Sequence, residues 1–294
     1  MNNQEIVTTH KPSVDQILES LDISKETLKD YRYRIDFFTQ FTNENGLTYA
    51  TFVEFKRFLA DRENLSTPSK NKYLTVARVF LKELNRRGIL PTDITQNVKS
   101  FKQSRGHVVF GVEMPEIESI ISEIHKLPTT PQNSRLKAIF ALLVHQGLRQ
   151  CEAVRLDLAD LNLNSGIAFI LGKGRDQKEP IYLSPDTVKI LRQYISKCKI
   201  VDGALFKSMG NRHSTRLTTK TVNREMKKLF ELAGIDRTVH GLRHFYITNL
   251  LNNMDMRDVR KFSRHRSIET LTVYDDELDI SQKAKQVFEY LPKI

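Results

Sequence analysis

The chain has 294 residues and a formal net charge of +11, with 46 Lys or Arg against 35 Asp or Glu. Its length allows two domains of ordinary size, and positive charge spread along the chain favours a polyanionic partner, nucleic acid first and an acidic membrane surface second. No stretch approaches the ~20 apolar residues of a membrane span, the amino terminus lacks a signal-peptide core, and two cysteines are too few for a disulfide framework. We therefore expect a cytosolic or nuclear protein without membrane contact.

The first hundred residues are predicted to form a helical bundle. Leu28, Tyr31, Ile35 and Phe38 recur at helical spacing behind Ser24, a residue type that favours helix N-termini. The sequence NENG at 43–46 supplies a stop, because glycine readily ends a helix. Apolar residues with the same periodicity continue at Phe52, Phe55, Leu59, Tyr73, Val76, Phe80 and Leu84. This pattern predicts three or four amphipathic helices that pack together.

Residues 51–100 also carry a surplus of positive charge, with ten Lys or Arg against five Asp or Glu. Lys70, Lys72 and Arg78 are the candidates for nucleic-acid contact in this region. A solvated helix face is the alternative interpretation for each of them.

A domain boundary is predicted near residue 105. The stretch KSFKQSRGHVVFG at 99–111 loses the helical periodicity, is basic, and lies between two helical patterns. These features are typical of an interdomain linker. The sequence therefore predicts a helical domain at 1–104 and a second domain at 105–294.

The second domain combines helices with one short stretch of strands. A helix is predicted from Pro115, and the nearly all-apolar LKAIFALLVHQGL from 136 is expected to be a buried central helix. The segments IAFIL and PIYL then flank a glycine-rich turn, which predicts an antiparallel hairpin with Lys173 at its tip. Helices resume at Pro185 and again near 218. The predicted fold class is mainly α with a small antiparallel β-hairpin or sheet.

The sequence of this second domain contains three short clusters of polar residues. In HQGLRQCEAVRL, at 145–156, Arg149 and Glu152 are three residues apart and share a helix face. An ordinary salt bridge at a helix boundary is the alternative interpretation. In VHGLRHFYITNLL, His240 and Arg243 have the same spacing, so both side chains can reach one phosphate. A structural hydrogen-bonded pair is the alternative there.

The third cluster is RHRSIETLTVY, which contains His265 and Tyr274. Nine residues apart on one continuous helix, these two side chains would lie on opposite faces. We expect Ser267 to act as an N-cap that breaks the helix, so that both side chains reach the same centre. Taken alone, a tyrosine is more often a packed aromatic than a nucleophile.

Together the clusters favour phosphoryl transfer without a metal ion or other cofactor. Arginines neutralise phosphate oxygens, a lysine or histidine protonates a leaving oxygen, and a tyrosine can form a covalent intermediate. No carboxylate cluster suited to a metal accompanies them.

The ordered set GLRQCE, GKGR, HGLRH and RHRSIETLTVY resembles the tyrosine site-specific recombinases, the group of phage integrases, Cre and Xer proteins. The resemblance implies that Arg149 and Arg243 clamp the scissile phosphate and that Lys173 is the general acid for the 5′ oxygen. It further implies that His240 is an acid/base, that Glu152 supports the site, that His265 donates a hydrogen bond, and that Tyr274 is the nucleophile.

The resemblance also implies an architecture and an assembly. Members of the group clamp double-stranded DNA at a specific site between a helical core-binding domain and a catalytic domain, in a C shape. They act as cytoplasmic tetramers in which a carboxy-terminal helix docks on a neighbouring protomer. Here Ala284, Val287, Phe288 and Leu291 form such an apolar stripe, although packing on its own domain is the alternative. The short stretch before the first predicted helix leads us to expect no separate arm-binding domain.

Further DNA contacts are predicted from charge. Residues 207–228 hold seven Lys or Arg against one Glu. The candidates in this part of the chain are Lys207, Arg212, Arg216, Lys220, Arg224, Arg264 and Arg266.

The sequence departs from the group's pattern before His265, where Ser263-Arg264 replaces the usual Leu-Gly, and at Cys151, where a small serine is common. Because Arg264 cannot adopt glycine's backbone angles cheaply, the local bend is the feature that this departure affects. Lys178 is a fallback for the lysine role. A type IB topoisomerase, which religates the same strand, and a non-catalytic DNA-binding relative are the alternative functions.

Overall fold

The computed structural model describes residues 13–103, 111–172, 174–209, 215–272 and 274. Contacts along the chain divide it into two compact units, Met1–Gly106 and His107–Ile294. The boundary expected near 105 falls among residues 104–110, and the carboxy-terminal stripe falls within 275–294; both lie outside the described residues. No helix in the described part of the chain is long and apolar enough to cross a membrane.

The amino-terminal unit is the helical bundle that the periodicity predicts. Its helices are α1 (Val14–Glu19), α2 (Lys25–Asn45), α3 (Thr51–Ala60) and α4 (Thr67–Arg86). Ser24 caps α2 by accepting a hydrogen bond from the backbone N–H of Thr27, and Gly46 ends the helix at φ 76°. Both predicted ends of this helix are therefore confirmed.

Aromatic side chains fill the core of this bundle. Phe38 of α2 and Phe55 of α3 are fully buried, with ring centroids 4.8 Å apart in an edge-on arrangement. Phe80 of α4 packs against the same Phe38 ring. One aromatic cluster therefore joins three helices, as burial of their apolar stripes requires.

The carboxy-terminal unit surrounds one buried helix. Its helices are α5 (Met114–Lys126), α6 (Pro131–His145), α7 (Gln150–Arg155), α8 (Pro185–Lys197), α9 (Thr219–Leu232), α10 (Val239–Asn253) and α11 (Met256–Ser263), with a short 3-10 helix at Leu158–Asp160. Helix α6 contacts α7, α8, α9 and α10. Its side chains from Ala138 to Val144 are all buried, as the apolar sequence predicts.

The predicted hairpin is confirmed and belongs to a three-stranded antiparallel sheet. Its strands are β1 (Leu161–Asn162), β2 (Ile167–Leu171) and β3 (Lys178–Tyr182), in the order β1-β2-β3. Ala168 and Ile170 of β2 and Ile181 of β3 face the core, because alternate residues of a strand point to one side. The mainly α fold class with a small antiparallel sheet is therefore confirmed.

Candidate active site

Arg243 lies at the centre of the site, on the second turn of α10. Its side chain is among the largest that are fully buried, with 2% of the residue exposed. One guanidinium nitrogen donates to the Gly147 carbonyl at 2.5 Å, and the other donates to the Ser263 carbonyl at 2.6 Å and lies 3.5 Å from His265 Nε2. Burial and the neighbouring Arg149 and Arg264 lower the pKa of Arg243 to about 10, so the group remains a cation at neutral pH.

Gly147 makes the turn after α6 that presents this carbonyl. Its φ is +57°, and a Cβ atom placed there would lie 2.2 Å from Cδ1 of Tyr246 on α10. Glycine is therefore required both by the left-handed backbone and by the close approach of α10. This turn fixes the start of α7 and, with it, Arg149.

Arg149 and Glu152 form the salt bridge at a helix boundary that the spacing allows. Glu152 Oε1 accepts from the Arg149 side chain at 2.8 Å, and Glu152 Oε2 accepts from the Arg149 backbone N–H at 2.9 Å. The Glu152 side chain is fully buried, whereas that of Arg149 is 29% exposed. Burial raises the pKa of Glu152, but Arg264 and Arg149 outweigh it, so this pKa lies below its usual range. The carboxylate is therefore ionised and holds Arg149 in place.

Arg264 makes the bend before His265. Helix α11 ends at Ser263, and Arg264 follows it in the left-handed conformation, with φ 59° and ψ 37°. The chain therefore adopts at an arginine the conformation that glycine adopts most easily. The break expected at Ser267 is wrong in position, because the helix has already ended four residues earlier.

Arg264, a predicted DNA contact, makes its described contacts within the protein. Its side chain is 5% exposed and lies 3.3 Å from a carboxylate oxygen of Glu152. It also donates to the carbonyls of Gln146, Gly147 and Phe262 at distances of 2.8–3.3 Å. These acceptors all belong to the protein, and a contact of Arg264 with DNA stays a prediction.

His265 and Tyr274 come together beside Arg243. Their ring centroids are 6.1 Å apart, and Ser263 Oγ lies 2.8 Å from His265 Nδ1. Burial, reinforced by the cations of Arg243, Arg149 and Arg264, lowers the pKa of His265 to about 4. The imidazole is therefore neutral at pH 7.

Tyr274 is both a packed aromatic and a member of this cluster. The residue is 7% exposed and packs with Ile247, Leu251, Val259 and Leu271. Its ring centroid is 4.5 Å from that of His244, a buried residue of α10. His244 is not among the residues predicted from the sequence, although it is the last residue of HGLRH and follows Arg243 directly.

His240 and Lys173 complete the set of predicted site residues. His240 is exposed on the first turn of α10, one turn before Arg243. Lys173 lies outside the described residues. Lys178, the fallback, forms an ion pair with Asp160 at the start of β3.

The hairpin tip touches the His265 segment. The carbonyl of Gly174, the residue after Lys173, accepts a hydrogen bond from Arg266 at 2.6 Å. A cavity of ≈ 540 Å³ is lined by Gly174, Arg175, Asp176, Glu179, Arg260, Lys261, Arg264, His265 and Arg266. The surface beside the candidate site is therefore predominantly basic.

The predicted DNA contacts differ in what their side chains do. Lys72, Lys220, Arg224 and Arg266 are exposed, and Arg212 lies outside the described residues. Lys70 donates to the backbone carbonyl of Ala60, and Arg78 to that of Val98. Arg216 donates to the carbonyls of Val154 and Leu156. The ammonium group of Lys207 lies 3.9 Å from the carboxylate of Asp202. Their contact with DNA stays a prediction.

We predict that Gly147→Ala lowers the free energy of unfolding more than does a Gly→Ala change at another glycine with left-handed backbone angles. Gly234 has φ +70° and open space within 4 Å of the position that a Cβ atom would take, so Gly234→Ala is the matched control. Both changes should cost about 1 kcal/mol for the left-handed backbone, and Gly147→Ala about 1–3 kcal/mol more for the clash with Tyr246. Equal losses of unfolding free energy in denaturant titrations would contradict this account.

We also predict an acid-dependent loss of stability from His265. Its pKa is about 4 in the folded protein against an ordinary value of 6.5, so the unfolded chain binds a proton that the folded chain excludes. This group therefore lowers the unfolding free energy as the pH falls from 6.5 towards 4 and contributes nothing above that window. NMR titration should give the low midpoint, and His265→Gln should show a shallower decline in stability. A His265 midpoint near 6.5 would refute the prediction.

The chain matches known recombinases in sequence and in fold. Residues 112–279 match the phage integrase family. The tyrosine recombinase XerD of Oceanobacillus iheyensis is 30% identical over 273 residues, which cover 86% of this chain and 88% of that protein.

Two solved structures share the fold. The XerH site-specific recombinase bound to palindromic difH substrate in a post-cleavage complex aligns with a TM-score of 0.67 and 20% identity, covering 81% of this chain and 72% of that chain. A lambda integrase tetramer bound to a Holliday junction aligns with a TM-score of 0.68 and 16% identity, covering 88% and 74% of the two chains.

The family match spans more than half of the chain and contains every cluster of the candidate site, from Arg149 to Tyr274. The XerD alignment extends the likeness to most of the chain. The chain therefore belongs to the phage integrase family of tyrosine site-specific recombinases.

Proposed function

We propose that this recombinase cuts and rejoins DNA at the site centred on Arg243, through a covalent bond between Tyr274 and a 3′ phosphate. The observation that carries the proposal is a cluster of three guanidinium groups, those of Arg149, Arg243 and Arg264, around the buried carboxylate of Glu152. The rings of His265 and Tyr274 lie beside it.

The surplus of positive charge favours a bound anion. Arg149 and Arg264 each lower the pKa of Arg243, which means that the cations repel one another in the free protein. A scissile phosphodiester brings the negative charge that relieves this repulsion. Arginine is suited to the task because its planar donors match two phosphate oxygens at once.

Cleavage transfers the phosphoryl group of one strand from its 5′ oxygen to the hydroxyl oxygen of Tyr274. The Tyr274 hydroxyl attacks phosphorus, the bond to the 5′ oxygen breaks, and the strand remains attached through a phosphotyrosine. Arg149 and Arg243 stabilise the charge on the nonbridging oxygens, and His265 donates a further hydrogen bond. His240 receives the tyrosine proton and Lys173 protonates the leaving 5′ oxygen.

Rejoining reverses these steps with a different strand. The 5′ hydroxyl of a partner strand attacks the phosphotyrosine, and Tyr274 leaves and recovers its proton. Because the covalent intermediate retains the energy of the phosphodiester, no nucleoside triphosphate is consumed. Glu152 takes no part in bond making and serves to hold Arg149.

Strand exchange between two duplexes requires several protomers on the DNA. We propose a tetramer, as in the lambda integrase complex on a Holliday junction. Its protomers would be joined through the stripe of Ala284, Val287, Phe288 and Leu291 in a cytoplasmic assembly. The amino-terminal bundle and the exposed Lys72, Lys220 and Arg224 would contact DNA phosphates.

The left-handed conformation of Arg264 argues against the alternative function, a non-catalytic DNA-binding relative. That alternative rested on the departure from glycine before His265, yet the bend is made and His265 lies 3.5 Å from Arg243. The departure therefore does not keep His265 away from Arg243, and it gives no support to a damaged site.

We predict that the protein forms a covalent adduct with a nicked suicide substrate and that Tyr274→Phe forms none. The nick lets the short 5′ product diffuse away, so the phosphotyrosine accumulates and is visible in a denaturing gel. The substrate is built on the site recovered by mapping covalent adducts on genomic DNA.

Tyr182→Phe is the matched control, because Tyr182 is 71% exposed on β3 and has no proposed role in the reaction. This variant should form the adduct at the unaltered rate. Adduct formation by Tyr274→Phe would exclude Tyr274 as the nucleophile, and its absence with the unaltered protein would exclude the proposed reaction.

A further inference from the structure

Arg264 occupies a backbone position that disfavours its own side chain. Its φ of 59° lies in the left-handed region, where residues other than glycine, asparagine and aspartate are strained. A strained residue persists where the surrounding structure gains from it. The question is therefore what the arginine side chain provides that glycine would not.

The guanidinium group of Arg264 joins two parts of the site that are far apart in sequence. It lies 3.3 Å from Glu152 Oε2, the same oxygen that accepts the Arg149 backbone N–H. It also donates to the Gly147 carbonyl at 3.2 Å, the carbonyl that Arg243 holds at 2.5 Å. Glycine could make the bend but would leave all these contacts unmade.

These contacts affect two residues of the proposed phosphate site, Arg149 and His265. Arg264 contacts Oε2 of Glu152. The other oxygen of this carboxylate, Oε1, accepts a hydrogen bond from the Arg149 guanidinium group at 2.8 Å. His265 follows Arg264 directly, and its imidazole lies within reach of Arg243. The Arg264 side chain therefore adds a second link between Arg149 and the His265 segment, beside the one that Arg243 makes through the carbonyls of Gly147 and Ser263.

We infer that Arg264 is a positioning residue for the proposed reaction: its guanidinium group fastens the His265 segment to the turn that carries Arg149 and Glu152. The expected effect of Arg264 on cleavage rests on the proposed function. The contacts that Arg264 makes with Glu152 and Gly147 belong to the protein without DNA and do not. Arg264 touches neither the phosphate nor the nucleophile and acts through Glu152 and His265.

The surroundings of His265 provide a readout that does not depend on DNA. The charged groups around its imidazole are the guanidinium groups of Arg243, Arg149 and Arg264 and the carboxylate of Glu152. Removal of one of three cations should raise the pKa of His265 above its value of about 4. Loss of the charge alone also raises this pKa, so Arg264→Lys, which keeps a cation, separates the two effects: a displaced His265 segment raises the midpoint in that variant as well.

The test compares Arg264→Gly, which keeps the bend without strain, with Arg264→Lys, which keeps a charge but reaches fewer acceptors. Lys199→Gly is the matched control, because Lys199 is exposed at φ 49° and the change relieves the same kind of backbone strain away from the site. Three quantities are measured in each variant: the His265 midpoint by NMR without DNA, the affinity for DNA, and the single-turnover rate of adduct formation on the suicide substrate.

Arg264→Gly is expected to raise the His265 midpoint and to slow adduct formation by about 10- to 100-fold, because small displacements of positioned groups have effects of this size. DNA affinity should change little, because a group that acts only on the reacting centre lowers the rate and not the binding. Arg264→Lys should recover part of the rate, and Lys199→Gly should equal the unaltered protein.

The inference is overturned if Arg264→Gly forms the adduct as fast as the unaltered protein, or if its His265 midpoint is unchanged. If the unaltered protein itself forms no adduct, the proposed function fails. The His265 midpoint of Arg264→Lys then decides whether Arg264 fastens the His265 segment, and a midpoint equal to that of the unaltered protein overturns the inference.

Discussion

The burial of the Arg243 guanidinium group is the interaction on which the rest of the catalytic unit depends. A buried cation costs several kcal/mol unless hydrogen bonds replace its lost hydration. Here the replacement comes from the carbonyls of Gly147 and Ser263, which belong to the turn after α6 and to the end of α11. Both elements must therefore keep their places around α10 for Arg243 to be accommodated. The same constraint fixes the start of α7 with Arg149 and the bend that leads to His265.

A site held in this way is prepared for a phosphate before the phosphate arrives. Backbone carbonyls cannot change rotamer, so Arg243 presents its charge from a rigid frame. Glu152 neutralises part of the positive charge and stays ionised, while His265 stays neutral because burial and, in addition, the arginines lower its pKa. The site therefore combines strong cations with a neutral hydrogen-bond donor, an arrangement suited to a phosphodiester that carries one negative charge.

Local chemistry accounts for what the sequence predicted correctly. The ends of α2 follow from Ser24 and Gly46, and the sheet follows from alternating side chains, because both depend only on neighbouring residues. The ordered clusters likewise pointed to Arg149, Arg243 and Tyr274, whose roles in the reaction stay predictions. The role of Arg264 was beyond such reasoning, since its acceptors in Gln146, Gly147 and Glu152 lie more than a hundred positions away and an arginine rarely adopts left-handed angles. Arg78 and Arg216 show the same limit, because charge alone does not reveal that their side chains donate to the backbone carbonyls of Val98 and Val154.

The central claim is that Arg243 serves to neutralise the scissile phosphate, and a substrate without that charge tests it most directly. Replacing one nonbridging oxygen of the scissile phosphate with a methyl group makes the linkage neutral. Adduct formation by Arg243→Ala, relative to the unaltered protein, should then be impaired much less on the methylphosphonate than on the ordinary substrate. The comparison uses one variant on two substrates, so any structural damage cancels. An equal loss on both substrates would contradict the claim and leave Arg243 with a role in folding alone.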